Sequence, residues 1–341
     1  MRAAVFEGPG NIRIEQVPDA EVELDTDAVV QVTAAGICGN DLWSYRGYGT
    51  RQPGSRMGHE FVGVVADVGS EVRTVRRGDV VVSPFTWSDG TCEYCLSRLH
   101  TSCVDGGVFG EPASDGGQGE AVRVPHADGT LVVVPPTLHG ADAQLLPLTD
   151  VLAAGHHAAR AAGVGYGRTV AVVGDGAVGL CGVIASRRLG AERIVVIGHH
   201  DERLELATRL GATDVVCGRG QEAVERAISL TGGAHCVLEC VGAQGALDTA
   251  VAIARDGALI GYVGVPHLVE GLDLGLLFGR NIGVRGGVTP ARAYMGELMA
   301  AVAAGTLDAS VVFDLAVDLE GVPDGYVAMD TRKAIKVRIT M

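Results

Sequence analysis

The chain has 341 residues, of which 47% are hydrophobic and 20% are charged, and its formal net charge is −14. A chain of this length favours two domains, and a negative charge without basic clusters argues against nucleic acid or anionic membranes as partners. No apolar run is long enough to span a bilayer, and the N-terminus lacks a signal-peptide pattern. With eight cysteines read as thiols or metal ligands, we expect a cytoplasmic protein.

The first part of the chain reads as a β-rich domain. Short runs of alternating hydrophobic and polar residues predict strands at NIRIEQV (11–17), AVVQVTAAG (28–36) and DVVVSPF (79–85). Glycine- and proline-containing turns separate these runs. We expect this domain to cover residues 1–150 and to be completed by the tail 287–341, whose end, AIKVRITM, also reads as a strand.

Residues 151–286 follow a different pattern, in which apolar strands alternate with helices. The predicted helices cover 177–189, 201–211 and 221–231, and the predicted strands are TVAVVG (169–174), RIVVIG (193–198), TDVVC (213–217), HCVLECVG (235–242) and ALIGYVG (258–264). Such alternation predicts βαβ units and a parallel sheet, a doubly wound α/β domain. The expected fold is therefore α/β with a separate β-rich domain.

A glycine motif follows the first of these strands. Gly174, Gly176 and Gly179 form G-x-G-x-x-G, with Ala177 and Val178 opening the next helix. In this context the glycines allow a tight turn, a close approach to a pyrophosphate, and packing of the helix on the strand. We expect a dinucleotide here, with its nicotinamide near three residues at later strand ends: Val241, Gly264 and Val265.

The end of the second strand bears on the choice between NAD and NADP. NAD-binding domains carry an acidic residue there, whereas this chain has Gly198, followed by His199, His200 and Arg203. The missing acid and the nearby cationic candidates favour NADP. The alternative is that Asp201 or Glu202 reaches back and serves NAD.

Three residues from distant segments have the side chains of a catalytic zinc site. Cys38 lies in GICGNDLW (36–43), His59 in MGHEFVGVVADVG (57–69) and Asp150 in PLTDVLAAGHHAA (147–159). Three protein ligands with an open fourth position are typical of catalytic zinc, which polarises an alcohol oxygen so that a hydride can leave the carbon.

These motifs together resemble the zinc-dependent alcohol dehydrogenases of the medium-chain dehydrogenase/reductase superfamily. The similarity rests on GICGND, on GHExxGxVxxVG from Gly58 to Gly69, on the cysteine-rich loop, on DVLAAGHHA and on VVGDGAVG, and it runs along essentially the whole chain. It implies a GroES-like domain and a Rossmann domain, small alcohols, aldehydes or ketones as substrates, and a homodimer or homotetramer.

The resemblance also implies roles for single residues. Cys38 and His59 are expected to bind the catalytic zinc with Asp150 as the third ligand, and Glu60 is the carboxylate that can approach the metal. Asp41 is the expected orienting partner of His59. Phe85 and Trp43 are the expected walls of the substrate pocket.

A structural zinc loop of the family pattern C-x2-C-x2-C-x7-C is recognisable at residues 89–103. Cys92, Cys95 and Cys103 fit three positions, and the first position holds Asp89. Oxygen is an acceptable zinc donor, so we expect Asp89 to be the fourth ligand. A metal-free loop is the alternative.

The chain departs from the family at Asn40, where relatives usually have Ser or Thr, and at Ala154, where they often have Thr. A carboxamide can hydrogen-bond a substrate oxygen but has no labile hydroxyl for passing on a proton. Two other functions stay open: a zinc-free quinone or enone reductase, which the Cys/His/acid set disfavours, and a non-catalytic cofactor-binding protein, which only Asn40 favours.

Overall fold

The protein is described here by a computed structural model covering residues 1–49, 51–111, 114–267 and 269–341. The chain divides into two compact units. The first unit comprises Met1–Asp150 and Pro290–Met341, and the second comprises Val151–Thr289.

Both units combine strands and helices. In chain order the strands are β1 (Arg2–Gly8), β2 (Asn11–Gln16), β3 (Ala28–Ile37), β4 (Ser55–Arg56), β5 (Glu60–Val68), β6 (Val80–Ser83), β7 (Thr86–Trp87), β8 (Gly107–Val108), β9 (Ala121–Val124), β10 (Val132–Val133), β11 (Thr169–Val173), β12 (Arg193–Gly198), β13 (Asp214–Cys217), β14 (Ala234–Glu239), β15 (Ala254–Tyr262), β16 (Gly283–Gly286), β17 (Leu315–Asp318) and β18 (Val337–Thr340). The helices are α1 (Asp41–Tyr45), α2 (Glu93–Leu96), α3 (Ala127–Thr130), α4 (Asp142–Leu145), α5 (Val151–Ala161), α6 (Ala177–Arg188), α7 (Asp201–Leu210), α8 (Gly220–Thr231), α9 (Gln244–Ile253), α10 (Leu274–Arg280), α11 (Ala291–Ala303) and α12 (Val322–Asp330). Short 3₁₀ helices span His100–Ser102, Pro136–Leu138, Leu146–Thr149 and Ser310–Val312.

The main sheet of the first unit has the strand order β10-β6-β5-β3-β18-β17, and β9 also pairs with β3. The C-terminal strand β18 runs antiparallel to β3, with Val337 opposite Ile37. Phe61, Phe109 and Tyr326 are among the largest buried side chains of the core beneath this sheet. This pairing brings the end of the chain beside the end of β3, where Cys38 follows.

The second unit contains a six-stranded parallel sheet in the order β13-β12-β11-β14-β15-β16. The central strand β11 pairs with β12 on one side and with β14 on the other, so that Val173 lies opposite both Ile197 and Glu239. Chain order reverses between β11 and β14, and such a switch point is where open α/β sheets bind ligands. The predicted fold class is confirmed.

The tail beyond residue 287 differs from the strand-like segment that the sequence predicted. It contains α11, of 13 residues, and α12, in addition to β17 and β18. The strand-like prediction holds for β17 and β18 but not for α11, because Ala, Met and Leu in α11 are helix formers with a buried face.

No helix in the described part of the chain is both long and apolar enough to cross a membrane.

Candidate functional site

Four predicted metal ligands lie together in the first unit. Cys38 follows β3, His59 and Glu60 lie at the start of β5, and Asp150 ends the segment before α5. One ligand atom from each lies within 4.8 Å of those of the others. The Cys38 thiol is 3.1 Å from Asp150 Oδ2, and His59 Nε2 is 3.4 Å from the same oxygen.

The pKa values of the cluster residues are set by burial, which disfavours their charged forms, and by the charges of their close neighbours. Burial raises the pKa of Cys38 to about 12, with the Asp150 carboxylate adding to the shift. Burial alone would lower the pKa of His59, but electrostatic interaction with Asp41 and Cys38 raises this pKa well above its usual value. Burial likewise opposes ionisation of Asp150, yet its hydrogen bond with His59 keeps its pKa low. Sulfur, nitrogen and oxygen donors thus converge in a site that favours a cation.

Asp41 faces the side of His59 opposite to Asp150. Its Oδ1 lies 3.6 Å from His59 Nδ1, while its Oδ2 accepts hydrogen bonds from the Cys38 backbone N–H (3.0 Å) and from Gln118 Nε2 (3.3 Å). Gln118 in turn accepts a bond from the Tyr326 hydroxyl at 2.9 Å. The carboxylate is 2% exposed, so it is held firmly behind two of the predicted metal ligands.

A lysine that the sequence analysis missed completes the cluster. Lys336 Nζ donates to Glu60 Oε1 at 2.7 Å and to the carbonyl oxygen of Ile37 at 3.2 Å, and it lies 5.2 Å from the centroid of the Phe313 ring. Both members of the ion pair are buried, and Glu60 Oε2 is buried without a hydrogen-bond partner. Burial raises the pKa of Glu60 to about 7 although Lys336 opposes the shift.

The other predicted catalytic-site residues of the first unit occupy different settings. Asn40 is exposed at the start of α1, and its backbone N–H donates to Cys38 Sγ at 3.4 Å. The Phe85 ring meets His59 edge-on with centroids 6.2 Å apart. Trp43 packs edge-on against Tyr48 at 5.5 Å, so its role as a pocket wall stays a prediction.

The cysteine-rich loop forms a second potential metal cluster in the same unit. The ligand atoms of its four residues lie within 4.8 Å of one another: Asp89, Cys92, Cys95 and Cys103. Asp89 Oδ1 accepts the backbone N–H groups of Thr91 (2.7 Å) and Cys92 (2.9 Å). Burial opposes ionisation of Asp89, but these bonds hold its pKa well below the usual range. An ionised carboxylate therefore stands beside three sulfur atoms.

The glycine motif lies in the second unit, between β11 and α6. Gly174 has a φ of +115°, and a Cβ there would be 2.7 Å from Val241 Cγ2. A Cβ on Gly179 would be 2.0 Å from the Gly174 carbonyl oxygen, so only glycine lets the helix approach the strand. Gly176 opens α6 with nothing within 4 Å of its Cβ position, and Ala177 and Val178 after it are partly exposed.

A carboxylate occupies the strand end where the sequence shows none. Asp175, inside the glycine motif, accepts the backbone N–H groups of His199 (2.8 Å) and His200 (2.9 Å) and contacts His200 Nδ1 at 3.0 Å, all at Oδ2. A Cβ on Gly198 would lie 2.5 Å from this oxygen. The absence of an acid at position 198 thus follows from the space that Asp175 fills.

Two arginines flank this region differently. Arg203, predicted as a coenzyme contact, is only 9% exposed within α7. Arg219, which the sequence analysis did not name, is exposed after β13, and its Nε donates to His199 Nδ1 at 3.3 Å. The rings of His199 and His200 lie 3.9 Å apart between Arg219 and Asp175.

The predicted nicotinamide-side residues lie at the ends of β14 and β15. Val241 and Val265 are each 46% exposed. The buried Glu239 accepts the backbone N–H groups of Val241 and Gly242, both at 2.8 Å, on Oε1. A Cβ on Gly264 would be 2.0 Å from Gly242 N, so the two strand-end turns are in direct contact.

Comparisons with known proteins agree with this arrangement. The family model "Alcohol dehydrogenase GroES-like domain" matches residues 24–136, and "Zinc-binding dehydrogenase" matches residues 177–304. The chain is 41% identical over 277 residues to a medium chain reductase/dehydrogenase of Acremonium, covering 78% of this chain and 94% of that protein. It is 33% identical to a probable zinc-binding alcohol dehydrogenase of Mycobacterium tuberculosis, covering 100% of this chain and 88% of the relative. Alcohol dehydrogenase TADH from Thermus sp. ATN1 superposes with a TM-score of 0.94 at 33% identity, covering 100% of this chain and 99% of that chain.

The chain belongs to the zinc-type alcohol dehydrogenases of the medium-chain dehydrogenase/reductase superfamily. This membership makes it an alcohol dehydrogenase-type oxidoreductase. The zinc-free reductase and the non-catalytic binding protein are not favoured.

The sequence analysis did not identify three residues of the candidate sites. Each of them contacts a partner at least 20 positions away in the sequence. Lys336 pairs with Glu60 across 276 positions, and Asp175 reaches His200 across 25. Arg219 contacts His199 across 20 positions. The available sequence signals were a lysine within an apolar terminal run and an aspartate inside a glycine motif. Neither signal indicates which residue the side chain contacts.

Proposed function

We propose that this protein is a zinc- and nicotinamide-dependent dehydrogenase that interconverts an alcohol and an aldehyde or ketone. The observation that carries the proposal is the convergence of Cys38, His59 and Asp150 within one buried cluster. These residues come from three segments with no common local structure, so a shared ligand is the simplest physical reason for their meeting.

The residues present fit a zinc ion. The donors are sulfur, imidazole nitrogen and carboxylate oxygen, which is a set that zinc accepts in catalytic sites. Glu60 Oε2, buried without a partner, is a further acceptor in the same cluster. Zinc bound there supplies a Lewis acid for the substrate oxygen, and a nicotinamide supplies or takes up the hydride. By the same donor chemistry we propose that Asp89 and the three loop cysteines hold a structural zinc.

The surrounding side chains act on the ligands and on the substrate. Asp41 fixes the orientation of His59 through its charge and holds the Cys38 backbone through a hydrogen bond. Phe85, edge-on to His59, is the side chain that we propose as a wall of the substrate pocket. Lys336 compensates the charge of Glu60 and so lowers the total negative charge beside the metal ligands.

For the coenzyme we propose the glycine turn as the pyrophosphate site, with NADP preferred over NAD. The open space at Gly176 and the start of α6 suit a phosphate at a helix N-terminus. Arg219 beside His199 is a cation that suits a 2′-phosphate. Asp175 carries the opposite charge at the same strand end and acts in the opposite direction.

Asn40 distinguishes this chain from relatives that have a hydroxyl at this position, and we propose that it slows alcohol oxidation. A carboxamide cannot pass on the alcohol proton, and a positioned proton-transfer group contributes at least about a hundredfold. We expect Asn40→Ser, but not Asn40→Ala, to increase kcat for alcohol oxidation. The measurement is kcat against pH in both reaction directions. Equal profiles for the two variants would show that the hydroxyl has no role.

The function itself is tested by metal analysis combined with kinetics. We expect one to two zinc ions per chain and oxidation of NADPH or NADH with members of an aldehyde and ketone panel. Asp150→Asn should lose one zinc and at least about a hundredfold in kcat/KM. Asp142→Asn, in α4 of the same unit, is the matched control and should change neither. Coenzyme binding without zinc and without turnover on any panel member would refute the proposal.

A further inference from the structure

At the end of β12 the space beside the strand is filled by the side chain of Asp175, not by a side chain at position 198. The Asp175 carboxylate is 5% exposed and takes up the backbone N–H groups of His199 and His200. These are the first amide donors after the strand, and such donors commonly hold phosphate. Since a Cβ on Gly198 would lie 2.5 Å from Asp175 Oδ2, position 198 has no room for a side chain.

Arg219 lies on the far side of the same histidine pair. Contacts run from Asp175 to His200 (3.0 Å), from His200 to His199 (ring centroids 3.9 Å apart) and from His199 to Arg219 (3.3 Å). A fixed anion and a fixed cation therefore flank one small region at the carboxyl ends of β11, β12 and β13.

We propose that the choice between NAD and NADP is set by the opposed charges of Asp175 and Arg219, and that residue 198 takes no part in it. This inference rests on the proposed nicotinamide dependence. A 2′-hydroxyl is neutral and can donate a hydrogen bond to a carboxylate. A 2′-phosphate is repelled by the same carboxylate and attracted by the guanidinium, so each residue favours a different coenzyme.

The charge state of Asp175 supports this reading. Burial opposes its ionisation, but the hydrogen bonds from the backbone of His199 and His200 and from the His200 ring keep its pKa low. The carboxylate is therefore charged near neutral pH. Arg219 contacts the His199 imidazole through both Nε (3.3 Å) and Nη2 (2.5 Å), and an imidazole does not neutralise the guanidinium charge as a carboxylate would.

The test compares coenzyme preference in wild type, Asp175→Asn and Arg219→Gln. For each we would measure kcat/KM for NADPH and NADH with one aldehyde, and the affinities of 2′,5′-ADP and 5′-AMP. Asp175→Asn should raise the NADPH-to-NADH ratio about tenfold, through KM rather than kcat, and Arg219→Gln should lower it about tenfold. The fragment affinities should shift in the same directions.

Matched controls and a second variant make the outcome decisive. Glu205→Gln and Arg209→Gln, on the exposed face of α7, remove the same charges nearby and should change the ratio by less than about twofold. Asp175→Ser replaces Asp175→Asn if the latter does not fold. An unchanged ratio in the Asp175 variants, or equal losses for both coenzymes in Arg219→Gln, overturns the inference. Failure of wild type to bind either coenzyme would instead overturn the proposed function.

Discussion

Lys336 and Glu60 show how single residues determine the electrostatics of the candidate site. Their side chains are 1% and 0% exposed, and they pair at 2.7 Å. Removing one member of a buried ion pair leaves an uncompensated charge, which is far more costly than losing a surface pair. The Lys336–Glu60 pair therefore contributes to the stability of the first unit as well as to the electrostatics of the candidate site.

We predict that Lys336→Met destabilises the protein increasingly as the pH rises above about 7, by up to about 3–5 kcal/mol, because Glu60 would be left buried without its cation and at lower pH would take up a proton instead. The double variant with Glu60→Gln should recover most of this loss, since both charges are then gone. The measurement is urea unfolding of metal-free protein. Lys333→Met, at an exposed position, is the matched control. A Lys336→Met protein as stable as this control would contradict the prediction.

Asp89 is the residue that decides whether the cysteine loop holds a metal. We predict that Asp89→Ala lowers the zinc content by one ion per chain, because three sulfurs alone leave a structural site incomplete, whereas Asp89→Cys keeps it. Elemental analysis of purified protein gives the count. Asp105→Ala, two residues after the loop and with a 73% exposed side chain, should keep full zinc. Retention of zinc by Asp89→Ala would indicate that this carboxylate is not a ligand.

At the scale of elements, the turn after β11 and the end of β12 form one packed arrangement. Asp175 fills the space beside Gly198, so the two positions depend on each other. A sequence motif lists the residue type at each position and does not show that two positions compete for the same space. The sequence analysis therefore found the glycine motif but interpreted Gly198 as a missing acid, although a carboxylate lies at that strand end.

We predict that Gly198→Asp alone destabilises the second unit, because its Cβ would lie 2.5 Å from Asp175 Oδ2. Combining it with Asp175→Gly should restore most of the stability, as neighbouring sites in contact do not behave additively. Thermal unfolding of both single variants and the double variant gives the coupling. If the two single effects simply add, the packing argument fails.

Many elements of the second unit were predictable because their signals are local. Strands β11 to β15 and helices α6 to α8 each carry an apolar pattern of the right period within a short window. The tail was harder. β18 is recognisable as a strand, but its pairing with β3 joins residues about three hundred positions apart, and the strand pattern of the last residues outweighed the helix formers of α11.

At the scale of the whole molecule, residue type identified the candidate ligands and geometry identified their partners. Cys38, His59 and Asp150 stand out because few other roles suit a thiol, an imidazole and a carboxylate in those motifs. Lys336 and Arg219 do not stand out, because a lysine or arginine is ordinary until its neighbour is known. Sequence reasoning thus predicts the metal ligands, whereas the charge compensation by Lys336 and the proposed coenzyme discrimination by Arg219 depend on contacts that a local motif does not contain.

The two predicted binding sites, for zinc and for the coenzyme, fall in different units of the chain. The predicted metal ligands all lie within Met1–Asp150, and the predicted coenzyme residues all lie within Val151–Thr289. We therefore predict that removal of zinc by a chelator abolishes turnover but changes the Kd for NADPH by less than about twofold, since none of the predicted zinc ligands is among the residues proposed to hold the coenzyme.

The measurement is fluorescence titration with NADPH before and after chelation, with zinc-saturated chelator as the control. Re-addition of zinc should restore turnover without altering the Kd, because the Gly174 turn and the Asp175 carboxylate contain no predicted ligand of either zinc. Parallel loss of turnover and of coenzyme affinity on chelation would show instead that the metal sites support the nucleotide-binding unit, and the division of roles between the units would be wrong.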